Sequence, residues 1–328
     1  MTDVLVLRAL GLGDLLASVA ALRGLHRAWP GARLVLAAPA ALGGWLTTLG
    51  VVDDVVAVRG LHEGAVLASR AGAPDVVVNL HGRGPQSHRL LAGLQARRLV
   101  GFACPERGFH EGPQWHDDEH EVDRWIRLAL WAGGAADADD LRLPSQHERS
   151  AHVVVHPGAA SASRRWPAER WAAVAAALAA DGHPVVVTGT RAEAALCAKV
   201  AAAAPSIEDA CGRHDLPGLA DLVGAAALVL SGDTGVAHVA TAYDTPSVTL
   251  FGPVSPALWG ARIDPHLHVA LWPRGGDDSR PGDLRPGDPH GSAPDERLLA
   301  TAVPEVVDAA AALLELSRTS EGGRSGAQ

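Results

Sequence analysis

Short apolar runs alternate with amphipathic stretches along the first half of the chain, and this pattern predicts strands separated by helices. Helical periodicity follows the first run through Leu15, Val19 and Leu22, and it returns over 41–49 and 86–94. Because strands that alternate with helices build parallel sheets, we predict a doubly wound α/β architecture. The predicted strands are 4–7, 34–37, 55–58, 76–79 and 99–102.

The same alternation begins again after 144–150, a polar segment without periodicity that has the character of a linker. We therefore predict two α/β domains of similar size, then a terminal helix and a disordered tail. These parts span 1–148, 149–303, 304–317 and 318–328. The segment 273–297 is rich in Pro, Gly and Asp and is predicted to form a long surface loop, either a functional lid or simply mobile. The predicted strands of the second domain are 152–156, 185–188, 228–231 and 247–251.

The net charge is −9, from 28 Lys and Arg against 37 Asp and Glu, so no overall positive field attracts nucleic acid or anionic lipid. The three cysteines are widely spaced and odd in number, which fits neither a disulfide framework nor a zinc motif, and we expect reduced thiols. No apolar stretch approaches the ~20 residues that span a bilayer, and the N-terminal run predicts a strand and not a signal peptide. We expect a cytoplasmic protein, with a peripheral membrane contact left open.

A glycine turn, Gly11 to Asp14, joins the first predicted strand to its helix. Such a turn lies at the carboxyl edge of the sheet, where open α/β proteins bind ligands. A dinucleotide site is excluded because position 16 is Leu and the next strand has no acidic residue at its end. Asp14 is then either the N-cap of a helix that begins at Leu15 or a general base that accepts a proton from a hydroxyl.

Two segments of the second half follow a strand and open a helix, an arrangement in which backbone amides bind anions. The segment 156–167 brings Arg164 and Arg165 to an otherwise acidic chain, and arginine makes charge-assisted contacts with phosphate. In the segment 231–238, Thr234 and His238 are four residues apart and share one face of a helix. These segments predict a phosphate site in the second domain.

In these segments the chain resembles the heptosyltransferase-like glycosyltransferases of family 9, which have the GT-B fold. The resemblance covers most of the chain and is most specific at 232–238. It implies two Rossmann-like domains with parallel sheets that face a cleft, with the donor held mainly by the second domain and the acceptor by the first. The motifs that carry it are 8–14, 79–83, 156–158, 164–167, 232–238 and 251–253.

The resemblance also implies roles for single residues. Asp14 corresponds to the catalytic base and Arg164 to the cation that binds the donor's phosphates. The family commonly has Lys at the position of Arg164, and Arg is not an equivalent replacement at a geometrically defined contact. The predicted donor-binding residues are Ser161, Arg164, Glu193, Asp233, Thr234, Gly235 and His238. The predicted acceptor-side residues, for which an ordinary polar loop is the alternative, are Gly13, His81, Arg83 and Gln86.

The implied reaction is an inverting transfer from a nucleoside-diphosphate sugar, usually ADP-heptose, to a hydroxyl of a glycan, glycolipid or small molecule. No cofactor and no metal are expected, because His110, His116 and His120 match no metal-binding spacing. We expect a monomer that binds no nucleic acid. Another nucleotide-sugar enzyme on this fold, such as an epimerase or phosphorylase, and a non-catalytic binding protein are the alternatives.

Overall fold

The computed structural model describes residues 3–145, 148–273 and 283–324, with side chains as far as 316. The chain divides into two compact units, Met1–Leu143 and Pro144–Gln328. Each unit is an α/β fold with a parallel sheet, as the alternation of apolar runs predicts.

The sheet of the first unit has five strands, and every pairing in it is parallel. Its strands are β1 (Asp3–Leu7), β2 (Arg33–Ala38), β3 (Asp54–Ala57), β4 (Val76–Asn79) and β5 (Arg98–Val100). Their order in the sheet is β3-β2-β1-β4-β5. The helices are α1 (Leu12–Leu16), α2 (Val19–Ala28), α3 (Ala40–Thr48), α4 (Gly64–Arg70), α5 (Gln86–Ala92) and α6 (Glu121–Trp131).

The sheet of the second unit has six strands and is also parallel throughout. Its strands are β6 (Val153–His156), β7 (Val185–Val187), β8 (Glu208–Asp209), β9 (Leu228–Gly232), β10 (Ser247–Leu250) and β11 (His268–Leu271). Their order is β11-β10-β9-β6-β7-β8. The helices are α7 (Ala168–Ala180), α8 (Ala194–Ala201), α9 (Leu216–Ala225), α10 (Gly235–Ala242), α11 (Pro256–Trp259), α12 (Glu296–Ala300) and α13 (Val303–Arg324).

Burial explains why these segments adopt these structures. The central strands β1, β4, β6 and β9 consist mainly of Val and Leu and are buried on both faces, as expected for a parallel sheet covered by helices. In α6 the residues Val122, Trp125, Ile126 and Ala129 recur at helical spacing and are buried. The core of the second unit includes Trp166 and Trp171, whose rings meet edge to face with centroids 5.1 Å apart.

The segment predicted as a linker is attached to the second unit at its end. Arg149 donates hydrogen bonds to the carbonyl of Gly224 at 3.0 Å and to Oγ1 of Thr245 at 2.7 Å. Partial burial of the guanidinium lowers the pKa of Arg149, and these oxygen atoms accept its hydrogen bonds. The connection between the units therefore lies before Arg149.

Several elements differ from the sequence predictions. Strands β8 and β11 are not predicted, since one has two acidic residues and the other lies next to the Pro- and Gly-rich segment. The terminal helix continues to Arg324, whereas a disordered tail is predicted from 318, because extending a formed helix costs far less than starting one. The predicted loop 273–297 includes the start of α12, whose first turn is capped by the Asp295 side chain. Residues 274–282 of that loop lie outside the described part of the chain.

Each sheet has one point where the order of the strands reverses direction. In the first unit this point lies between β1 and β4, and in the second it lies between β6 and β9. At such a point the helices that follow the two strands diverge, which leaves a crevice at the carboxyl ends where ligands bind. The segments after these four strands carry the predicted site residues except Glu193, which follows β7.

Candidate functional site

Asp14 lies in the first turn of α1, directly after β1. The helix begins at Leu12 and its N-cap is Gly11, which makes no side-chain capping hydrogen bond. The expectation that Asp14 caps a helix beginning at Leu15 is therefore wrong, because the chain enters the helix three residues earlier. The Asp14 carboxylate lies close to Gly11. A Cβ atom placed on Gly11 would be 3.4 Å from Asp14 Oδ2. Gly13 lies inside the same turn.

Arg8 lies beneath this turn and is 1% exposed. Its Nε and Nη2 donate to the backbone carbonyl of Asp14 at 3.0 and 2.7 Å, and its Nη1 donates to the carbonyl of Leu80. The same guanidinium lies 3.8 Å from Asp14 Oδ1 and 4.6 Å from the centre of the Trp125 ring. Arg8 thus connects the turn after β1 to the end of β4 and to α6.

Glu121, the first residue of α6, balances the charge of Arg8. Its Oε1 accepts from Arg8 Nη2 at 3.2 Å and from Trp125 Nε1 at 2.7 Å, and its Oε2 accepts from Arg124. Burial opposes the ionisation of Glu121, but Arg8 and Arg124 more than offset it, so the pKa of this carboxyl lies below its ordinary value. A buried, charged cluster thus supports the turn that carries Asp14.

His81 follows β4 and is half-buried. Burial, reinforced by the nearby Arg8, lowers its pKa to about 4, so the imidazole is neutral at neutral pH. Within the described residues its Nδ1 is buried and has no hydrogen-bond partner. A neutral imidazole with an unused nitrogen can bind a hydroxyl group.

The loop after His81 is held by buried side chains. Asn79 Nδ2 donates to the carbonyl of Gly82 at 3.0 Å and lies 3.1 Å from His88 Nδ1, and His88 Nε2 lies 2.9 Å from the carbonyl of Phe102. Gly84 has φ +85°, and a Cβ there would overlap the His88 ring. Two predicted acceptor-side residues, Arg83 and Gln86, are exposed on this loop.

In the second unit, Arg164 ends a short 3₁₀ turn, Ala162–Arg164, in the segment after β6. Its Nη1 donates to the backbone carbonyl of Asp233 at 3.2 Å and lies 3.9 Å from Asp233 Oδ2. This contact joins the segments after β6 and β9, which are neighbouring strands. Arg164 Nε is buried without a hydrogen-bond acceptor in the part of the chain that the structure describes.

Thr234 is the N-cap of α10, but its side chain makes no capping hydrogen bond. Its Oγ1 is buried and lacks a partner among the described residues, as does Oγ of Ser231 in β9. The amides of the first turn, beginning at Gly235, carry the partial positive charge of a helix N-terminus. Unsatisfied donors from Arg164 and Thr234 therefore lie close to a helix end that favours an anion.

Glu193 forms a capping box with Thr190 at the end of β7. Its Oε2 accepts from the Thr190 amide at 2.8 Å and from Thr190 Oγ1 at 2.7 Å. The carboxylate packs over Gly158, where any Cβ would overlap it. Glu193 also faces His156, whose Nδ1 lies 3.0 Å from Thr188 Oγ1. A side chain at position 158 would therefore displace the Glu193 carboxylate.

A cavity of about 800 Å³ opens beside Thr190, the partner of Glu193. It lies at the ends of β6, β7 and β8, and its floor is formed by the first turn of α9. Its volume is in the range of sites for cofactor-sized ligands. The lining residues include His156, Thr190, Arg191, Gly212, Arg213 and Leu216.

The other predicted donor-side residues lie nearby. Ser161 Oγ donates to the carbonyl of Gly291 at 3.0 Å, and the amide of Asp295 donates to the carbonyl of Ser163 at 3.1 Å. The segment 283–295 is thus fastened to the turn that carries Arg164. His238 is half-buried in α10 and packs against Trp259, with ring centroids 5.9 Å apart.

The described residues contain no group of three or more His, Cys, Asp or Glu side chains that could hold a metal ion. His120, one of the histidines considered as a ligand, is the N-cap of α6, and its Nδ1 accepts from the Val122 amide at 3.2 Å. Cys104, Cys197 and Cys211 are free thiols. No helix in the described part of the chain is long and apolar enough to cross a membrane.

Buried histidines predict acid sensitivity, since burial lowers the pKa of His81, His88 and His156. His81 and His156 have pKa values of about 4, for which burial is the main cause. Between pH 6.5 and 4 the unfolded chain binds protons at these positions and the folded chain does not, so acidification favours unfolding. We expect the free energy of unfolding to fall in this window by up to about 1.4 kcal/mol per pH unit per histidine.

Denaturant unfolding at pH 8, 6 and 4.5 measures this effect. His156→Gln should reduce the change in the free energy of unfolding per pH unit, which is the slope compared below. The exposed His62, changed to Gln, is the matched control and should leave the slope as in the parent. Equal slopes for all three proteins would contradict the assignment to His156.

Comparison with known proteins finds relatives of this chain among the heptosyltransferases. The model of glycosyltransferase family 9 (heptosyltransferase) matches residues 118–273. Lipopolysaccharide heptosyltransferase 2 of Salmonella typhimurium is 33% identical over 161 residues, which cover 41% of this chain and 46% of that protein. The structure of E. coli ADP-heptose lipopolysaccharide heptosyltransferase II matches with a TM-score of 0.77 at 20% identity, over 97% of this chain and 100% of that one.

The chain is thus similar to the heptosyltransferases of glycosyltransferase family 9. Its fold is the GT-B fold of the heptosyltransferase structures, as the resemblance implies. A second E. coli heptosyltransferase structure, containing ADP-2-deoxy-2-fluoro heptose, matches with a TM-score of 0.65 at 20% identity, over 84% of this chain and 94% of that one. In sequence, the chain spans less than half the length of the curated heptosyltransferases that it matches, 37% of one and 46% of another.

The sequence analysis missed several residues of this candidate site. Arg8 is the first residue of the motif 8–14, but the sequence analysis gives it no role. A charged residue directly after a buried strand nevertheless indicates a specific partner. Glu121 appears in the sequence as one more acidic residue at the start of a helix, and only the fold brings it to Arg8. Thr190 carries a recognisable signal, since Thr followed by Glu three residues later is the capping-box pattern.

Proposed function

We propose that this chain is an inverting glycosyltransferase that moves a sugar from a nucleoside-diphosphate donor to an acceptor hydroxyl. The observation that carries the proposal is the set of unsatisfied donors in the second unit. Arg164 Nε and Thr234 Oγ1 are buried without partners among the described residues, beside the N-terminus of α10. A diphosphate supplies the acceptor oxygens that these groups need.

The nucleoside part of the donor is assigned to the cavity at the ends of β6, β7 and β8. Thr190 lines it and donates to Glu193, and a carboxylate so placed can accept hydrogen bonds from ribose hydroxyls. ADP-heptose is the proposed donor, because the matched E. coli structure contains an ADP-heptose analogue and the curated relatives are heptosyltransferases. Ser161, Asp233, Gly235 and His238 complete the proposed donor side.

In the proposed reaction, Asp14 accepts the proton of the acceptor hydroxyl as its oxygen attacks the anomeric carbon. The new carbon–oxygen bond forms while the bond from that carbon to the diphosphate breaks, and the configuration at the anomeric carbon inverts. Arg164 and the first amides of α10 stabilise the charge that develops on the departing diphosphate. The proposal includes no cofactor and no metal.

The acceptor is proposed to bind on the first unit, near Gly13, His81, Arg83 and Gln86. Relatives named as lipopolysaccharide and lipooligosaccharide heptosyltransferases support a glycan or glycolipid, and a small hydroxyl compound stays within the proposal. We place the reaction in the cytoplasm and propose that the chain acts as a monomer.

The purified chain, incubated with ADP-heptose, tests the proposal. Release of ADP that depends on an added acceptor, with a new glycosidic bond of inverted configuration by NMR, is the expected result. Conversion of the sugar without an acceptor would instead favour an epimerase. A donor that binds and is never consumed, across a panel of acceptors that includes deacylated lipopolysaccharide core, would favour the binding protein.

Arg164→Ala should weaken the binding of free ADP by about 10- to 100-fold, because a charge-assisted hydrogen bond contributes roughly 1.5 to 3 kcal/mol. Isothermal calorimetry measures this change. Arg165→Ala is the matched control, since Arg165 is exposed and its Nε donates to the carbonyl of Ala159 at 2.8 Å. An unchanged Kd in the Arg164 variant would remove this residue from the donor site.

A further inference from the structure

Helix α1 is too short to hold Asp14 in place by itself. It has five residues, its N-cap makes no side-chain hydrogen bond, and isolated helices of this length are not stable. The carbonyl of Asp14 would normally accept from the amide of Ser18, four residues later, but that amide donates to Leu15 at 3.0 Å. The Asp14 carbonyl therefore needs another donor.

Arg8 is that donor. Two nitrogens of its guanidinium bind the Asp14 carbonyl, at 2.7 and 3.0 Å, and a third nitrogen binds the carbonyl of Leu80. The planar group lies against Trp125 and is 1% exposed, which leaves it little freedom to rotate. A rigid fork thus fixes the backbone of Asp14 against the end of the neighbouring strand β4.

The charges around Asp14 support the same role. Arg8 Nη2 lies 3.8 Å from Asp14 Oδ1, and Glu121 Oε1 balances the charge of the same guanidinium at 3.2 Å. His81, at the end of β4, is neutral at neutral pH because burial and Arg8 lower its pKa to about 4. Arg124, farther along α6, also pairs with Glu121. Arg8 therefore presents a positive charge to a carboxylate that must be ionised to accept a proton.

We propose that Arg8 is a positioning residue for Asp14: it fixes the turn that carries the base and keeps a cation beside the carboxylate. This inference rests on the proposed function only for its catalytic consequence. The fixing of the turn is a property of the free protein. A buried arginine is costly compared with an apolar residue of similar size, so its retention here is explained by this specific task.

Arg124 provides a matched control. It is also 1% exposed, also pairs with Glu121 and also stacks on a tryptophan, Trp115. Its Nη2 donates to the carbonyls of His116 and Glu119, whereas Arg8 donates to the carbonyl of Asp14. Arg8→Met and Arg124→Met each remove one buried cation from Glu121, but only Arg8→Met removes the contact with Asp14.

The first measurement is hydrogen exchange of the peptide that contains residues 9–18, in the unliganded full-length protein. We expect Arg8→Met to accelerate this exchange and Arg124→Met to leave it close to the parent rate. Arg8→Lys, which keeps the charge but lacks the fork, should be intermediate. Parent-like exchange in Arg8→Met would overturn the proposal whether or not the chain is a transferase.

The second measurement is turnover. Arg8→Met should lower kcat by about 100-fold, the loss expected from misplacing a reacting group by about 1 Å, with the donor KM and the Kd for ADP unchanged. The acid limb of its pH–rate profile should move to higher pH, and Arg8→Lys should recover part of both changes. A parent-like kcat and acid limb, while Asp14→Asn is inactive, would overturn the proposal and leave the proposed function intact. If Asp14→Asn kept full turnover, the proposed function would fail, and hydrogen exchange alone would decide the role of Arg8.

Discussion

Asp14→Asn is expected to lower kcat by roughly 10²- to 10⁴-fold, the range that a positioned general base contributes. Asparagine has nearly the same shape but cannot accept the hydroxyl proton, so chemistry slows while the fold persists. The Kd for ADP should stay as in the parent, because the proposed donor contacts belong to the second unit. Initial rates of ADP release at saturating donor and acceptor, with calorimetry of ADP, measure both quantities.

Asp54→Asn is a suitable control for this substitution. Asp54 is an exposed carboxylate of the same unit that pairs with Arg33 at 3.4 Å, and it has no part in the proposed site. Its variant should turn over at the parent rate. Near-parental turnover of Asp14→Asn would show that another group takes the proton.

Glu121→Gln is expected to reduce the free energy of unfolding by about 3 to 5 kcal/mol, the cost of leaving a buried ion pair without one partner. Glutamine can still accept the hydrogen bond from Trp125, but it leaves Arg8 and Arg124 without the negative charge between them. Chemical denaturation followed by circular dichroism at pH 7 measures the loss. Glu208→Gln is the control, because Glu208 pairs at 3.3 Å with Arg213 and both side chains are exposed, and it should cost about 1 kcal/mol or less.

The effect of Glu121→Gln should also depend on pH. The pKa of Glu121 is lower in the folded protein than in the unfolded chain, so its ionised form stabilises the fold above its ordinary pKa of about 4.3. That contribution is lost as the pH falls through the folded value. The gap between parent and variant should therefore be full near pH 7 and shrink below about pH 4. A gap that stays constant down to pH 3 would mean that the charge of Glu121 does not stabilise the fold.

Apolar patterning was sufficient to predict most of the fold. The strands of both units with Val- and Leu-rich runs lie where the sequence predicts them, because burial on both faces gives a continuous apolar signal. Strand β8 gives no such signal, since Glu208–Asp209 is an edge strand of two acidic residues. Strand β11 is half exposed and is set by its pairing with β10. Such edge strands depend on the neighbouring strand more than on their own composition.

Prediction of the candidate site was less complete. Glycine turns after strands indicate where a ligand can bind, and the resemblance supplied roles for Asp14 and Arg164. Contacts between distant residues leave no local pattern, however. Arg8 and Glu121 are 113 positions apart, and their pairing follows only from packing α6 beside the strand ends. The start of α1 at Leu12, which removes the capping role of Asp14, also follows from backbone geometry and not from the residue types.

The hydrogen bonds between segment 283–295 and the turn at Ser161 affect the order in which the protein can fold during synthesis. Ser161 and the carbonyl that it binds, that of Gly291, are 130 positions apart. During synthesis, the strands and helices around β6 leave the ribosome well before that carbonyl exists, whereas residues 1–143 are complete by then. The first unit can therefore fold early, and the turn at Ser161 reaches its final form only after Gly291 has been synthesised.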